Sequence, residues 1–349
     1  MAEAEPEIRT RPDPTLADLL ASGNILAVED ASRTALAIDP LDPEAWRALG
    51  LSLLDQGRAR EAEASLRRAM AAAPTRPDGH VAYAAGQLRK GSSVRAVAAL
   101  RRALALRLDD PAAHTSLAHA LMPGDDHYAF LNRVHAWVRP RVYLEIGIRD
   151  GRSLALARPP TYAIGVDPHP SVRRPFVAET RVHALTSDDY FNLADTRSFH
   201  AARPVDLAFI DGLHSFEQSL RDFINVERVS HRNTLVLLHD CIPLDPVTSG
   251  RVARTQFYTG DVWKTVVVLR EMRPDLAIHL VAVPPTGMAV VGNLDPMSTI
   301  LDDRYHDLVT RFVDLDYWRG TARLRQQVTW IPNDSSAIKA LITGSKGGD

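Results

Sequence analysis

Small and apolar positions in the first third of the chain return every 34 residues. Pro43, Pro77 and Pro111 hold that spacing, as do Trp46, His80 and His114, and Leu49, Tyr83 and Leu117. Gly57 and Gly91, Ala62 and Ala96, Leu66 and Leu100, and Ala69 and Ala103 follow it too. Such a period predicts stacked helix pairs, because one pair cannot bury its apolar face alone. Gly50, Ala62 and Ala69 are small where helices approach, while Trp46 and Leu66 fill the remaining space. Gly57 is placed to end the first helix of a pair in a left-handed turn. Residues before Pro40 are read as an earlier, degenerate pair.

The pattern changes at Pro123-Gly124-Asp125, which marks a domain boundary. A helix is predicted from Asp126 to Val138, with Leu131, Val134 and Val138 on one face and Pro140 as its stop. Short apolar runs then alternate with helical segments: Val142–Ile146, Tyr162–Val166, Arg181–Leu185, Val205–Ile210 and Thr234–Leu238. That alternation predicts a doubly wound α/β sheet. Leu276–Val283 and Gly287–Val291, around Pro284-Pro285-Thr286, predict a closing antiparallel pair. Thr299–Gln326 is amphipathic and helical, placed to cover the sheet edge or reach a second subunit. The expected organisation is a helical-repeat domain over 14–122, an α/β domain with a C-terminal helical extension over 125–332, and a flexible tail over 333–349. Met1–Pro12 reads as a loosely ordered end.

Composition narrows the class. The chain has 349 residues, enough for two cores, and its 45% hydrophobic and 24% charged residues are ordinary for a globular protein. A formal net charge of −2 favours neither nucleic acid nor an anionic membrane, and Arg67-Arg68 and Arg173-Arg174 read as solvated pairs. Cys241 is the single cysteine, which excludes an intrachain disulfide and fits a cytoplasmic setting. Met1–Pro14 lacks the apolar core of a secretory signal, and no apolar run has the length of a membrane span.

Candidate chemistry begins where Val142–Ile146 runs into Gly147, Gly151 and Ser153, with Glu145 near the strand end. A strand, a glycine turn and a helix start bring backbone N–H groups close to a ligand, and glycine permits that approach without a Cβ. Asp167 ends the next strand, 20 residues after Gly147, where an acid accepts hydrogen bonds from a ribose. The alternative is an ordinary tight turn with an exposed acid.

Further on, Ser215 and Gln218 match a capping box, so Asp211 and His214 fall in a loop between a strand end and a helix. Phe216, Leu220, Phe223 and Ile224 form the buried face of that helix. The following strand ends in His239-Asp240. If the two strands are neighbours, Asp211, His214, His239 and Asp240 surround one crevice at the carboxyl edge of the sheet. Two carboxylates suit Mg²⁺, and His239 admits a transition metal such as Mn²⁺. His214 is the candidate general base, since an imidazole is largely neutral at cytosolic pH. Against this stands a loop that Asp211 and His214 order without metal. The segment from Ile242 to Gly260 is long enough for a lid or substrate wall. Trp263 is read as core with Lys264 solvated, or else as a sugar platform with a charged neighbour. Cys241 has no neighbour that activates a thiolate.

Two resemblances sharpen these readings. Pro43–Arg76, through Trp46, Leu49, Gly50, Ala62, Leu66, Ala69 and Pro74, resembles a tetratricopeptide repeat. That implies either a groove for a protein partner or a packing and self-associating scaffold. Glu145-x-Gly147-x-x-x-Gly151-x-Ser153 followed by Asp167 resembles the S-adenosylmethionine site of class I methyltransferases. The third glycine of dinucleotide oxidoreductases is missing, which disfavours an NAD enzyme. Asp211-Gly212-x-His214 with His239-Asp240 is similar to metal-dependent sugar O-methyltransferases of bacterial natural-product pathways. There, the resemblance implies, the positions of Asp211 and Asp240 hold the metal and that of His214 is the base. Where this chain has His239, some of those enzymes have an acid. The resemblance covers about residues 125–295 and implies a Rossmann-like, mostly parallel sheet with a terminal antiparallel strand. It implies a cofactor set of Glu145, Gly147, Gly151, Ser153, Asp167, Ser187, Asp188 and Asp211, with an acid near Ser187 and Asp188 on the adenine. The rival role for those two is a helix cap for the segment starting at Asp189. The expected function is methyl transfer to a hydroxyl of a sugar or glycosylated small molecule, with Mg²⁺ or Mn²⁺ assisting. The alternative is a repeat scaffold carrying a non-catalytic cofactor-binding domain.

Overall fold

The computed structural model describes residues 15–344, so the expectations for Met1–Pro12 and for the last five residues lie outside it. The chain divides between Ala120 and Leu121 into two compact units.

The first unit is built from antiparallel helix pairs. The degenerate pair is present as α1 (Leu16–Ser22) and α2 (Ile25–Ile38). It is followed by α3 (Pro43–Asp55) with α4 (Ala59–Ala72), α5 (Pro77–Arg89) with α6 (Ser93–Leu106), and α7 (Pro111–Leu121). Pro43 and Pro77 sit in the first turn of their helices, where the missing N–H costs nothing. The period also has a polar counterpart: the Trp46 indole donates to the Pro40 carbonyl at 2.8 Å, and His80 Nε2 lies 3.1 Å from the Pro74 carbonyl. Gly50 is required by packing, since a Cβ there would lie 2.5 Å from Leu66 Cγ. Leu49, Leu53, Ala62, Leu66, Tyr83, Leu100 and Leu117 share one core.

The second unit opens with α8 (His127–Val138), capped by Asp126. Strands β1 (Val142–Ile146), β2 (Tyr162–Val166), β3 (Glu179–His183), β4 (Val205–Ile210), β5 (Ser230–His239), β6 (Ala277–Val281), β7 (Met288–Gly292) and β8 (Thr329–Ile331) form one sheet, in the order β3-β2-β1-β4-β5-β7-β6-β8. β1 to β5 run parallel and β7 pairs antiparallel with both β5 and β6. This is the expected doubly wound, mostly parallel architecture, with two corrections to strand bounds. β3 starts two residues before the run read from sequence, because its register pairs Glu179 with Tyr162 and ends at His183 beside Val166. β5 extends back to Ser230 to pair with Val205. The expected antiparallel strand is present at the end of the parallel run as β7, and β6 and then β8, parallel to β6, follow it outward.

Helices α9 (Ser187–Asn192), α10 (Ala194–Ala202), α11 (Phe216–Arg228) and α12 (Trp263–Met272) join the strands. The amphipathic stretch folds as α13 (Ile300–Asp303), α14 (Tyr305–Phe312) and α15 (Tyr317–Gln327), which pack on α11 and α12 while β8 takes the edge. Trp263 is core, closed over by Gly320, where a Cβ would lie 2.1 Å from the indole. Lys264 is not solvated as expected: Asp261, 3.0 Å from its Nζ, neutralises it in the interior. The tail is also corrected. Residues 335–344 form α16, whose Ile338 and Ile342 join Phe130, Leu131 and Val134 in the core. Asp334 caps that helix by accepting from the Ser336 and Ala337 N–H groups. Among the described residues no helix is long and apolar enough to cross a membrane.

Candidate active site

The carboxyl ends of β1, β2, β4 and β5 meet at one edge. β1 runs into Gly147, whose φ of +87° turns the chain sharply. A Cβ on Gly147 would lie 2.0 Å from the Asp211 carbonyl oxygen, so the two loops touch only because glycine is there. Gly151, at φ +75°, completes the turn but does not line the cavity.

Glu145 is placed differently from the cofactor role read in sequence. It is fully buried behind the glycine turn and accepts hydrogen bonds from the Tyr143 hydroxyl, at 2.7 Å, and from Ser153. It does not line the cavity, while Ser153 does. Burial pushes the Glu145 carboxyl up to about 8. A raised folded-state pKa gives stability that is complete below the unfolded value and is lost as pH rises through about 8. Glu145→Gln should therefore gain on the wild type as pH rises from 5 to 9, by on the order of 5 kcal/mol at most. Thermal melts across that range check it, and a pH-independent difference would refute it.

Asp167 faces the cavity from the tip of β2. Its carboxylate accepts from the Arg149 N–H at 2.9 Å and the His169 N–H at 2.8 Å, which orders both flanking loops. Ser187 and Asp188 also line the cavity, and neither is the helix cap. Thr186 caps α9 by accepting from the Asp189 N–H. Ser187 donates to Asp222 at 2.5 Å, and Asp188 pairs with Arg221 at 2.8 Å. The capping box at Ser215 is half made: Ser215 accepts from the Gln218 N–H, but the Gln218 side chain turns to Ser187, Asp188 and Asp222. Burial holds the Asp222 carboxyl up to about 6.

β4 and β5 are neighbours, and their ends converge. Asp211, His214 and Asp240 each offer a ligand atom within 4.8 Å of the others, a donor set that fits a divalent cation. His214 Nδ1 lies 3.3 Å from Asp240 Oδ2, and its Nε2 lies 3.8 Å from Asp211 Oδ1. His239 stands outside that set. Its Nδ1 sits 3.1 Å from Asp211 Oδ1 and 3.4 Å from Asp240 Oδ1, and its Nε2 is 3.1 Å from Thr286 Oγ1. Burial works against the imidazolium, but Asp211 and Asp240 outweigh it and hold its pKa up to about 9. His239 thus ties the two acids together. Burial favours the neutral form of both acids; it prevails at Asp240, whereas the neighbouring histidines, His239 foremost, hold Asp211 below the usual range. Asp240 is held at φ +60°, a strained conformation for a non-glycine residue at the point where a ligand would be gripped.

These groups line one cavity of about 720 Å³, within the range of small-molecule sites. Several of its residues were not singled out from sequence. His127 and Tyr128 enter from the first turn of α8, and Gln256, Phe257 and Tyr258 from the long segment after β5. Burial, with help from His239, pulls the His127 pKa down to about 4, so it is neutral. Arg152 stacks on Tyr128 at 3.9 Å, and Tyr258 lies nearly parallel to the His214 ring at 6.0 Å. The only local signal was their place just after a helix cap and within a long loop.

The strand tips, the glycine turn and the clustered acids all fall in one stretch, residues 144–241, and that stretch matches a family model. The family is the methyltransferase domain. The match covers well under half of the chain and supports methyl transfer as the activity of this domain. A comparison with curated proteins finds no match. Among solved structures, MamA is 21% identical over 32% of this chain and 64% of its own, with a TM-score of 0.28. A mutant O-GlcNAc transferase of Thermobaculum terrenum is 21% identical over 56% and 44%, at 0.30. A thermophilic TPR protein of Thermus thermophilus is 19% identical over 40% and 66%, at 0.28. The chain spans less than two thirds of the length of each, and these likenesses carry no argument about activity or partners.

Proposed function

We propose that the methyltransferase domain binds S-adenosylmethionine over the Gly147 turn and transfers its methyl group to a hydroxyl of a sugar-like small molecule. The observation that carries this reading is the convergence of His214, Asp211 and Asp240 in the cavity that also holds Gly147 and Asp167. In this reading the Asp167 carboxylate takes the ribose hydroxyls, and Ser187 and Asp188 face the base. Asp211 and Asp240 would hold Mg²⁺ or Mn²⁺, which when bound polarises the acceptor oxygen and orients it. His214 removes the hydroxyl proton as the oxygen attacks the sulfonium methyl. One C–O bond forms, one C–S bond breaks, and the sulfur leaves neutral while the proton stays on the imidazole. The acceptor oxygen and methyl carbon need to be held about 3–3.5 Å apart. Tyr128, Phe257 and Tyr258 offer aromatic faces for the acceptor body.

Calorimetry with S-adenosylmethionine, followed by a methyl-transfer assay on a panel of glycosides, tests the reading. Binding is expected, as is turnover that chelator abolishes and Mg²⁺ or Mn²⁺ restores. Full turnover in chelator would remove the metal from the scheme. Absence of donor binding would leave a repeat protein with a non-catalytic domain.

A further inference from the structure

Within the cavity the His214 ring is approached by Asp240 at 3.3 Å, Asp211 at 3.8 Å and the Tyr258 ring at 6.0 Å. The His214 backbone is approached from the other side by the segment before α12. Gly260 has φ +65°, and a Cβ there would lie 1.8 Å from the His214 carbonyl oxygen and 2.8 Å from His214 Cβ. The neighbouring Asp261 is buried, and its Oδ1 accepts from the Phe216 N–H at 2.8 Å, two residues beyond His214. Asp261 Oδ2 in turn is held by Arg251 Nη1 and Lys264 Nζ, each at 3.0 Å. Arg251 also grips Glu217 in the first turn of α11, and its carbonyl accepts from the Tyr258 hydroxyl at 3.1 Å. The backbone of residues 214–216 is therefore clamped from outside the cavity by two consecutive residues.

We infer that Asp261, with Gly260, is a positioning residue for His214, setting where the imidazole stands without touching substrate. This rests on the reading of His214 as the base. The buried charge on Lys264 and the exposed guanidinium of Arg251 give Asp261 a second, purely structural role, and the two roles are separable. Asp261→Asn keeps an acceptor for the Phe216 N–H but loses the ion pairs. Asp261→Ala with Lys264→Met removes the acceptor and leaves no buried lysine unpaired.

Crystal structures of the two variants provide a readout that needs no acceptor. In Asp261→Ala/Lys264→Met the backbone at His214 should move by about 1 Å, a displacement that costs on the order of 10²-fold in turnover. Asp261→Asn should melt lower than wild type yet keep His214 in place and turnover within about threefold, since a misplacement too small to see costs little. Should the double variant fail to fold, Gly260→Ala makes the same test through the steric contact. An unmoved His214 in the double variant or in Gly260→Ala would overturn the inference, as would Asp261→Asn displacing it as far as the double variant. A displaced His214 in an enzyme whose turnover ignores His214→Ala would instead sink the assignment of the base and leave the clamp standing.

Discussion

Replacing His214 with alanine should lower the rate of methyl transfer by about 10³-fold while changing S-adenosylmethionine affinity less than about threefold. The asymmetry follows from where the ring sits. His214 approaches Asp240 and Asp211, on the β4 and β5 side of the cavity, whereas Gly147 and Asp167 lie at the ends of β1 and β2. On the proposed reading, losing the base raises the barrier for deprotonating the acceptor and leaves the donor's contacts intact. Single-turnover rates and calorimetry on the same preparation decide the matter. Parallel losses of rate and affinity would mean that His214 shapes the cavity and takes no proton. Partial recovery of rate with added imidazole would mark the missing group as a base.

Gly147→Ala should have the second large effect, this time on the donor. The alanine methyl would fall 2.0 Å from the Asp211 carbonyl oxygen and 2.7 Å from Gly212 Cα, in a backbone conformation that L-residues resist. The β1 and β4 loops must separate, although Asp211 N–H is bonded to the Ile146 carbonyl at 2.9 Å. Donor affinity should fall about 100-fold or more, since a shift of about 1 Å is enough for that in a preorganised site. Gly57→Ala is the matched control, because Gly57 shares the left-handed conformation at φ +76° but has open space where its Cβ would go. It should cost only the backbone penalty of about 1–2 kcal/mol and leave donor binding unchanged. Wild-type donor affinity in Gly147→Ala would remove the glycine turn from the binding site.

The difference between these two glycines shows how far local pattern reaches. Gly57 was legible because its role is local: it ends a helix at a turn, and the 34-residue period repeats it at Gly91. Gly147 was legible as a turn, but its contact with Asp211 depends on β4 lying beside β1. Glu145 was misplaced for a related reason. Its position next to the turn matched a ligand contact, whereas alternation along β1 directs it to Tyr143 and Ser153 in the interior. His239 shows the same limit from the other side. Adjacent in sequence to Asp240, it bridges the two acids and hydrogen-bonds Thr286, which arrives from the turn between β6 and β7. His127, Tyr128 and Tyr258 had no periodic or motif signal, because a loop or a helix start becomes a cavity wall only through the strand order that brings it there.

Read alone, the chain determined its helix pairs, the succession of strand and helix, and the residues at the tips of β1, β2, β4 and β5. Those follow from side-chain periods of two and of about 3.6 residues and from what glycine and proline permit in the backbone. Tertiary structure decided which strand ends share a cavity, which acid is buried away from it, and that Gly260 and Asp261 lie against the backbone of residues 214–216. Those choices belong to contacts between distant segments, whose energies depend on shape and burial that no local spacing records.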